Sequence, residues 1–333
     1  MIADDDILGR ARGCWLGQLV GDALGSMVEF QTAASIGRRY PNGLREIGPS
    51  DVWGTLAGQP TDDSEMALGL ARSLVRDGTY DDEAVAAAYL AWYDSPPFDI
   101  GNTTRQAMQA MADARRDGIS PAEGARRHAN PDSEANGALM RQSPLAIWGH
   151  ALPVEVLADA VRRDTTLTHP NRVCVDASCA VILPVAKILR EGLDVETAYA
   201  LACQWDAMYR ASPTVTDALK AARETPPDHG YHAGHVLVAL QNAWYQALHA
   251  PSFEAGIVAT VMGGGDTDTN AAIAGALLGA LHGGGAIPAQ WRDAVLSCRP
   301  SADVPGIRHP RPETYWPTDA RDLAAALLAA APR

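Results

Sequence analysis

Glycine recurs at every fourth position in two stretches of this chain, and this spacing limits how the chain can fold. The glycines are Gly9, Gly13, Gly17, Gly21 and Gly25 in one stretch, and Gly275, Gly279 and Gly283 in the other. Residues four apart share one face of an α-helix, so each stretch predicts a helix with a ridge that lacks side chains. Each glycine costs a helix up to about 1 kcal/mol relative to alanine. We expect the two ridges to pack together, because close packing would return that energy and would also bring together the loops that enter the helices.

Apolar residues elsewhere recur at intervals of three and four, and no segment shows the alternation typical of a strand. Helices are predicted around 67–75 and 84–91, and over 154–161, 173–189, 195–207, 236–248, 253–262 and 323–330. The intervening loops are predicted at 41–60, 93–104, 130–144, 209–230 and 299–318. These loops are too short and too evenly spread to mark a domain linker. The prediction is therefore an all-α protein with one compact domain over residues 1–333.

Charge and composition exclude several classes of function. The 27 Lys and Arg against 40 Asp and Glu give a net charge of −13 with no basic run, which argues against nucleic acid as a partner. The acidic N-terminus, residues 1–9, does not resemble a signal peptide, and no apolar run is long enough to cross a membrane. The five cysteines are scattered and form no C-x-x-C pair, as in a reduced compartment. We expect a cytoplasmic protein without membrane contact, and a monomer.

Two acidic segments, each predicted to begin a helix, are candidates for the chemistry. They are Thr61-Asp62-Asp63-Ser64 and Asp266-Thr267-Asp268-Thr269. Either alone is compatible with simple N-capping, since Asp, Ser and Thr accept hydrogen bonds from free backbone N–H groups. Together they offer four carboxylates, whose mutual repulsion calls for cations. Ligands that are all oxygen favour Mg²⁺, Mn²⁺ or Ca²⁺, and a two-metal site follows if the glycine ridges bring the segments together.

Several ordered motifs resemble those of the ADP-ribosylglycohydrolase family, and most closely those of its bacterial members that activate dinitrogenase reductase. The motifs are GCWLG (13–17), GDALGSMVEF (21–30), TDDSEM (61–66), DIGNTTR (99–105), NGALMR (136–141), THP (168–170) and GGDTDTNAAIAG (264–275). The resemblance implies an all-α fold with a central dinuclear Mg²⁺ or Mn²⁺ centre. It also implies hydrolysis of the bond between ADP-ribose and a protein side chain.

The resemblance assigns roles to individual residues. The implied metal ligands are Thr61, Asp62, Asp63, Asp266, Asp268 and Thr269. Asp99 matches a catalytic carboxylate, with capping of the helix that begins near Thr103 as its alternative. Glu29 matches an acidic residue that gates the metal site or takes part in catalysis, and its alternative is an exposed charge at a helix end.

Contacts to ADP-ribose are expected from a second group of residues. They are Asn136, Gly137, His169, Gly264, Gly265 and Tyr231. His169 could instead be a polar core residue, and Tyr231, proposed to stack on adenine, could be structural. Arg105 and Arg141 either meet a phosphate or tie loops together. The H-x-x-H-x-x-H pattern of His229, His232 and His235 is a poor metal site, because glycines interrupt it and no acidic partner has the right spacing.

The predicted function is removal of mono-ADP-ribose from a modified protein, with arginine as the expected acceptor and free ADP-ribose as product. Three other acceptors stay open, namely serine, a nucleobase and O-acetyl-ADP-ribose. A noncatalytic ADP-ribose-binding or immunity protein is the alternative from another class, and the complete set of six ligand positions argues against it.

Overall fold

The computed structural model describes residues 4–230 and 232–331. These residues contain sixteen α-helices and no β-sheet. The helices are α1 (Asp4–Gly25), α2 (Ala33–Arg39), α3 (Asp62–Asp77), α4 (Asp82–Tyr93), α5 (Asn102–Arg116), α6 (Pro121–His128), α7 (Ser143–Trp148), α8 (Val154–Thr166), α9 (Arg172–Glu191), α10 (Val195–Tyr209), α11 (Pro213–Ala222), α12 (Val236–His249), α13 (Phe253–Met262), α14 (Thr267–His282), α15 (Ala289–Ser297) and α16 (Ala320–Ala329). The prediction of an all-α fold is confirmed.

Helices α1 and α14 form the most extensive contact in the molecule, and their glycine ridges face each other. A Cβ atom added to Gly17 would lie 2.1 Å from the carbonyl oxygen of Gly275, and one added to Gly21 would lie 2.1 Å from that of Ala271. A Cβ atom added to Gly9 would have no neighbour within 4 Å, so the close backbone contact of α1 begins at Gly13. The two backbones therefore touch, as the glycine spacing predicts.

The predicted helices are present, but some of the predicted loops contain helical segments. The segment 209–230 contains α11 (Pro213–Ala222). Pro213 suggests a loop in the sequence, yet it occupies the first turn of this helix. Backbone N–H groups in the first turn have no acceptor within the helix, so a proline, which lacks this group, is tolerated there. The loop predicted at 130–144 likewise contains a short 3₁₀ helix, Leu139–Arg141, and the start of α7.

The core is one continuous cluster of small aliphatic side chains with a few large aromatic ones, among them Trp15, Trp92 and Trp244. All five cysteines are free, and Cys14, Cys174 and Cys298 are buried. Of the helices in the described parts of the chain, none combines the length and the apolar character that a membrane span requires.

Candidate metal centre and active site

The two acidic segments meet at the N-terminal ends of α3 and α14. Asp62 and Asp63 open α3 after Thr61, and Asp266 directly precedes α14. Neither Thr61 nor Asp266 makes a side-chain capping hydrogen bond. N-capping therefore does not explain these segments. The side-chain oxygen atoms of Thr61 and Asp266 are available for other contacts.

Hydrogen bonds join the two segments across about two hundred residues of sequence. The Oδ2 atom of Asp63 accepts from the Thr61 hydroxyl at 3.2 Å and from the Thr269 hydroxyl at 3.3 Å. On the cleft side, Glu29, Asp266 and Asp268 place carboxylate oxygens within 4.8 Å of one another. The structure thus brings the two predicted segments into one cluster and adds Glu29 to it.

Asp22 is a further carboxylate of this cluster and was not predicted as a site residue. It is fully buried on α1 and accepts hydrogen bonds from the Thr61 hydroxyl at 2.9 Å and from the backbone N–H groups of Thr61 and Ser64. The Asp22 carboxylate on α1 therefore holds the first turn of α3 in place. Its position directly after Gly21, on a helix predicted to be buried, was the available sequence clue.

Burial and mutual repulsion raise the pKa of the acids in the cluster. Burial, opposed by hydrogen bonds from Ser64 and Thr61, raises the pKa of Asp22 to about 6. Burial and then the charge of Asp22 raise the pKa of Asp62 to about 7. For Glu29, burial and the charge of Asp266 raise the pKa to about 8. The cluster is thus an electrostatic arrangement that cations would stabilise.

The atoms of the cluster fit a hard divalent cation. Its donors are carboxylate and hydroxyl oxygens, and none of the described residues that line the cleft is Lys or Arg. The buried atoms Asp63 Oδ1 and Asn270 Oδ1 have no hydrogen-bond partner in the protein. Buried oxygens without partners are costly unless a ligand supplies the missing contact, so the cluster could bind a metal.

Glu29 lies in the cluster and is only 6% exposed, which excludes the alternative of an exposed helix-end charge. Its Oε2 atom accepts a hydrogen bond from the indole Nε1 of Trp53 at 2.5 Å. Trp53 was not predicted as a site residue, because it lies in an irregular loop without a motif. The indole holds the Glu29 carboxylate toward Asp266 and Asp268.

Asp99 lines the same cleft as Glu29 and Asp62. The N-cap of α5 is Gly101 and makes no side-chain bond, so Asp99 is not a capping residue. Burial and then the charges of Asp62 and Glu29 raise the pKa of Asp99 to about 10. Without a cation among these acids, the environment of Asp99 favours the protonated carboxyl group over the carboxylate.

The segment before Asp99 is held by the C-terminal part of the chain. Arg311, which is 5% exposed, donates to both carboxylate oxygens of Glu65 at 2.7 and 2.8 Å. The same guanidinium donates to the carbonyl oxygens of Ser95 and Pro96 at 2.5 and 3.2 Å. This buried ion pair links α3, immediately after the acidic segment, to the loop that carries Asp99. This ion pair is not predictable from the sequence, because Arg311 and Glu65 share no local pattern.

Neutral polar groups line the other wall of the cleft. Asn136 Nδ2 donates to Asp266 Oδ2 at 2.8 Å, and Gly137 lies against the ring of His169. Burial and the charge of Arg141 lower the pKa of His169 to about 3, so its ring is neutral. Arg141 itself is buried against Asp164 and ties loops together, which decides between its two predicted roles. Arg105 lines a neighbouring cavity on the α5 side.

Two predicted contacts, Gly264 and Gly265, are not among the residues that line this cleft. Gly264 and Gly265 pack against the segment that follows Glu29, and Gly265 lines a separate groove. Tyr231 lies outside the described residues. His229, His232 and His235 do not form a metal cluster within the described chain: His235 caps α12 and bonds Glu134, whereas His229 packs on Gly263.

Comparisons with known proteins show which proteins this chain is similar to. The model of the family described as ADP-ribosylglycohydrolase matches residues 3–330. The ADP-ribosyl-[dinitrogen reductase] glycohydrolase of Rhodospirillum rubrum is 33% identical, over 85% of this chain and 88% of that protein. The ADP-ribosylarginine hydrolase Tri1 of Pseudomonas putida (strain GB-1) is 29% identical, over 88% of this chain and 76% of that protein. A solved structure titled ADP-ribosylglycohydrolase-related protein complex superimposes with a TM-score of 0.77 at 27% identity, covering 98% of this chain and 100% of that one.

Proposed function

The chain belongs to the ADP-ribosylglycohydrolase family, and from this premise we propose that it hydrolyses the bond between ADP-ribose and an arginine side chain of a modified protein. The observation that carries the proposal is the joining of the two acidic segments around Asp63, with Glu29 and Asp99 at the same cleft. Two relatives at about 30% identity are named for ADP-ribosyl hydrolysis, one of them for an arginine acceptor.

Two Mg²⁺ or Mn²⁺ ions are the proposed cofactors. Their ligands would be Thr61, Asp62, Asp63, Asp266, Asp268 and Thr269, and Glu29 lies close enough to join them. When bound, the ions would neutralise the carboxylates, orient the ribose hydroxyls and polarise the attacking water.

Asp99 is the proposed general acid and base. As the bond between the anomeric carbon and the guanidine nitrogen breaks, the Asp99 carboxyl group gives its proton to the leaving nitrogen. The resulting carboxylate accepts a proton from the water whose oxygen forms the new bond to the anomeric carbon. One water is consumed, and free ADP-ribose and unmodified arginine are released.

The ADP part is proposed to follow the wall with neutral donors. The cleft encloses about 120 Å³, less than the about 300 Å³ at which pockets for drug-sized ligands begin, so it holds one sugar-sized group. Carboxylates would repel a diphosphate, whereas the Asn136 amide and the neutral His169 ring would not. Asn102 also lines a larger cavity of about 620 Å³ that contains Arg105 and Arg127, which can receive the phosphates or adenine.

The test measures release of free ADP-ribose from an arginine-ADP-ribosylated protein with Mg²⁺ or Mn²⁺ and then with a chelator. We expect release that the chelator abolishes. The Asp99→Asn variant should lose at least about 100-fold in kcat, the size of a general acid–base contribution. Asp94→Asn is the matched control, since Asp94 lies in the same loop region but pairs with Arg115 at the surface.

Three outcomes would contradict the proposal in different ways. Release only from an ADP-ribosylated serine or nucleobase, or from O-acetyl-ADP-ribose, would change the acceptor and leave the site in place. Release that the chelator does not affect would remove the metals. Binding of ADP-ribose without any turnover would make the protein a noncatalytic binder.

A further inference from the structure

Phe30 is the most exposed large hydrophobic side chain among the described residues, with 67% of its surface accessible. It directly follows Glu29 of the acidic cluster. Its backbone has a φ of 58°, a left-handed conformation that is rare for a bulky residue and costs energy. An exposed apolar ring in a strained backbone has no structural benefit of its own, so its position calls for a ligand.

The surrounding backbone holds Phe30 in this conformation. The Phe30 N–H donates to the carbonyl oxygen of Gly265 at 2.7 Å, and the Gly265 N–H donates to that of Gln31 at 3.0 Å. An isolated antiparallel bridge between Thr32 and Gly264 continues the pairing. The ring is thus presented from a fixed segment attached to the loop that enters α14.

Phe30 is the one described residue that lines both the acidic cleft and a second groove of about 520 Å³. The groove lies along 30–34, with Asp228, His229 and Gly263 among its other lining residues. It is separate from the cavity with Arg105 and Arg127, which joins the cleft at Asn102. A ligand held in the cleft therefore has one exit past Asn102, into a cavity lined by Arg105, Arg127, Asp113 and Asp117, and another exit past the Phe30 ring.

The second groove is suited to a cation. Asp228 is the single acidic side chain among its described lining residues, and no Lys or Arg lies among them. The Nδ1 atom of His229 is buried without a hydrogen-bond partner, and this side chain, 9% exposed, lines the groove. Burial lowers the pKa of His229, so its ring is neutral and can accept a hydrogen bond.

We propose that this groove, defined by Phe30, Thr32, Asp228, His229 and Gly263, binds the acceptor side of the substrate, with the Phe30 ring stacked on the guanidinium of ADP-ribosyl-arginine. A planar cation on an aromatic face is a favourable pair, and the Asp228 carboxylate adds attraction for a cation within the groove. The inference rests on the proposed function and adds to it the residues that select a cationic acceptor.

The Phe30→Asn variant tests the inference, because asparagine tolerates the left-handed backbone and removes only the ring. For ADP-ribosyl-arginine, kcat/KM should fall about tenfold, mainly through KM, while the Kd of the product ADP-ribose stays within about twofold. Phe30→Tyr keeps the aromatic face and should remain within about twofold of the parent protein. Arg210→Asn is the matched control: Arg210 also has a left-handed backbone, with a φ of 51°, but lines neither cavity.

The outcomes separate this inference from the proposed function. A parent protein that does not release ADP-ribose from arginine would overturn both. An active parent protein with an unchanged Phe30→Asn variant would overturn the groove alone. Weaker binding of free ADP-ribose to the variant would place adenine or ribose, not the acceptor, on the Phe30 ring and would also overturn the inference.

Discussion

The floor and the rim of the acidic cleft are held in different ways. The floor consists of α1, α14 and the first turn of α3, and it depends on backbone contact at glycines and on the buried Asp22 carboxylate. The rim consists of the loops that carry Glu29 and Asp99, and it depends on side-chain bonds from Trp53 and Arg311. A floor made of touching helices has no room to adjust, whereas a rim made of side chains can be changed one contact at a time.

The floor and the rim of the cleft therefore have different roles. The floor sets where the oxygen ligands lie, because helix starts joined by backbone contact have fixed positions. The rim sets how Glu29 and Asp99 approach them. Substitutions in the floor should therefore act on folding, whereas those in the rim should act on folding only where they strand a buried charge.

The largest effect is expected at Arg311, the one rim position with a buried charge partner. Arg311→Ala would leave the Glu65 carboxylate buried without its cation, and the free energy of unfolding should fall by about 3–5 kcal/mol. Chemical denaturation measures the loss. Adding Glu65→Gln to the variant should recover part of it, and Arg308→Ala, on the exposed part of the same segment, should change stability by no more than about 0.5 kcal/mol. A loss below about 1 kcal/mol for Arg311→Ala would mean that the rim does not depend on this ion pair.

Replacing a glycine of α1 by alanine tests whether the backbones of α1 and α14 touch in the floor. Gly21→Ala would place a Cβ 2.1 Å from a backbone carbonyl oxygen, so α1 and α14 would have to separate, at a cost of about 3 kcal/mol. Gly9→Ala lies on the same helix with no atom within 4 Å and should raise stability by up to about 1 kcal/mol. Both are read from denaturation curves. Equal behaviour of the two variants would contradict the backbone contact that defines the floor.

The stability of the metal-free protein should depend on pH through the buried acids of the floor and the rim. An acid whose pKa is raised on folding takes up a proton as the chain folds, so stability is lost as the pH rises through the folded-state value. The unfolded-state pKa values of these acids are about 4, and the folded-state values are about 6, 7, 8 and 10 for Asp22, Asp62, Glu29 and Asp99, so the loss begins near pH 4 and continues to about pH 10. It should reach about 1.4 kcal/mol per pH unit for each proton released. Mg²⁺ or Mn²⁺ should flatten the slope, and a metal-free protein whose melting temperature rises over this interval would contradict the cluster.

The smallest effect on stability is expected from Trp53→Phe. The variant loses the donor to Glu29 but keeps an aromatic ring, so stability should change by about 1 kcal/mol. Binding of Mn²⁺, measured by titration calorimetry, should weaken about tenfold, because bonds that orient a metal-binding carboxylate contribute to affinity. Trp316→Phe is the control, since its indole bonds Arg311 and not Glu29. Unchanged Mn²⁺ binding in Trp53→Phe would show that Glu29 needs no support from the rim.

Local patterns predicted much of the fold. The helix predicted at 253–262 coincides with α13, since its apolar spacing and flanking residues agree. The loop predicted at 209–230 was wrong, because a proline within a polar stretch either interrupts a helix or begins one, and the surrounding sequence does not distinguish the two.

The candidate site was predictable only where its residues stand side by side in sequence. The acidic segments at 61–64 and 266–269 are dense enough to be noticed, and the motifs that resemble a known family point to Asp99 and Glu29. Trp53, Arg311 and the site role of Asp22 escaped notice. Each acts through a partner far away in the chain, 24 residues away for Trp53 and Glu29 and 246 for Arg311 and Glu65.

The sequence by itself determined that the chain is helical, that two of its helices can touch along glycine ridges, and that two acidic segments begin helices. These properties follow from spacing along the chain, which acts on neighbouring residues. Only the tertiary structure decided that Glu29 joins Asp266 and Asp268, that Arg311 holds the Asp99 loop, and that Phe30 separates two cavities. Such relations depend on the packing of distant segments, and no short pattern encodes them.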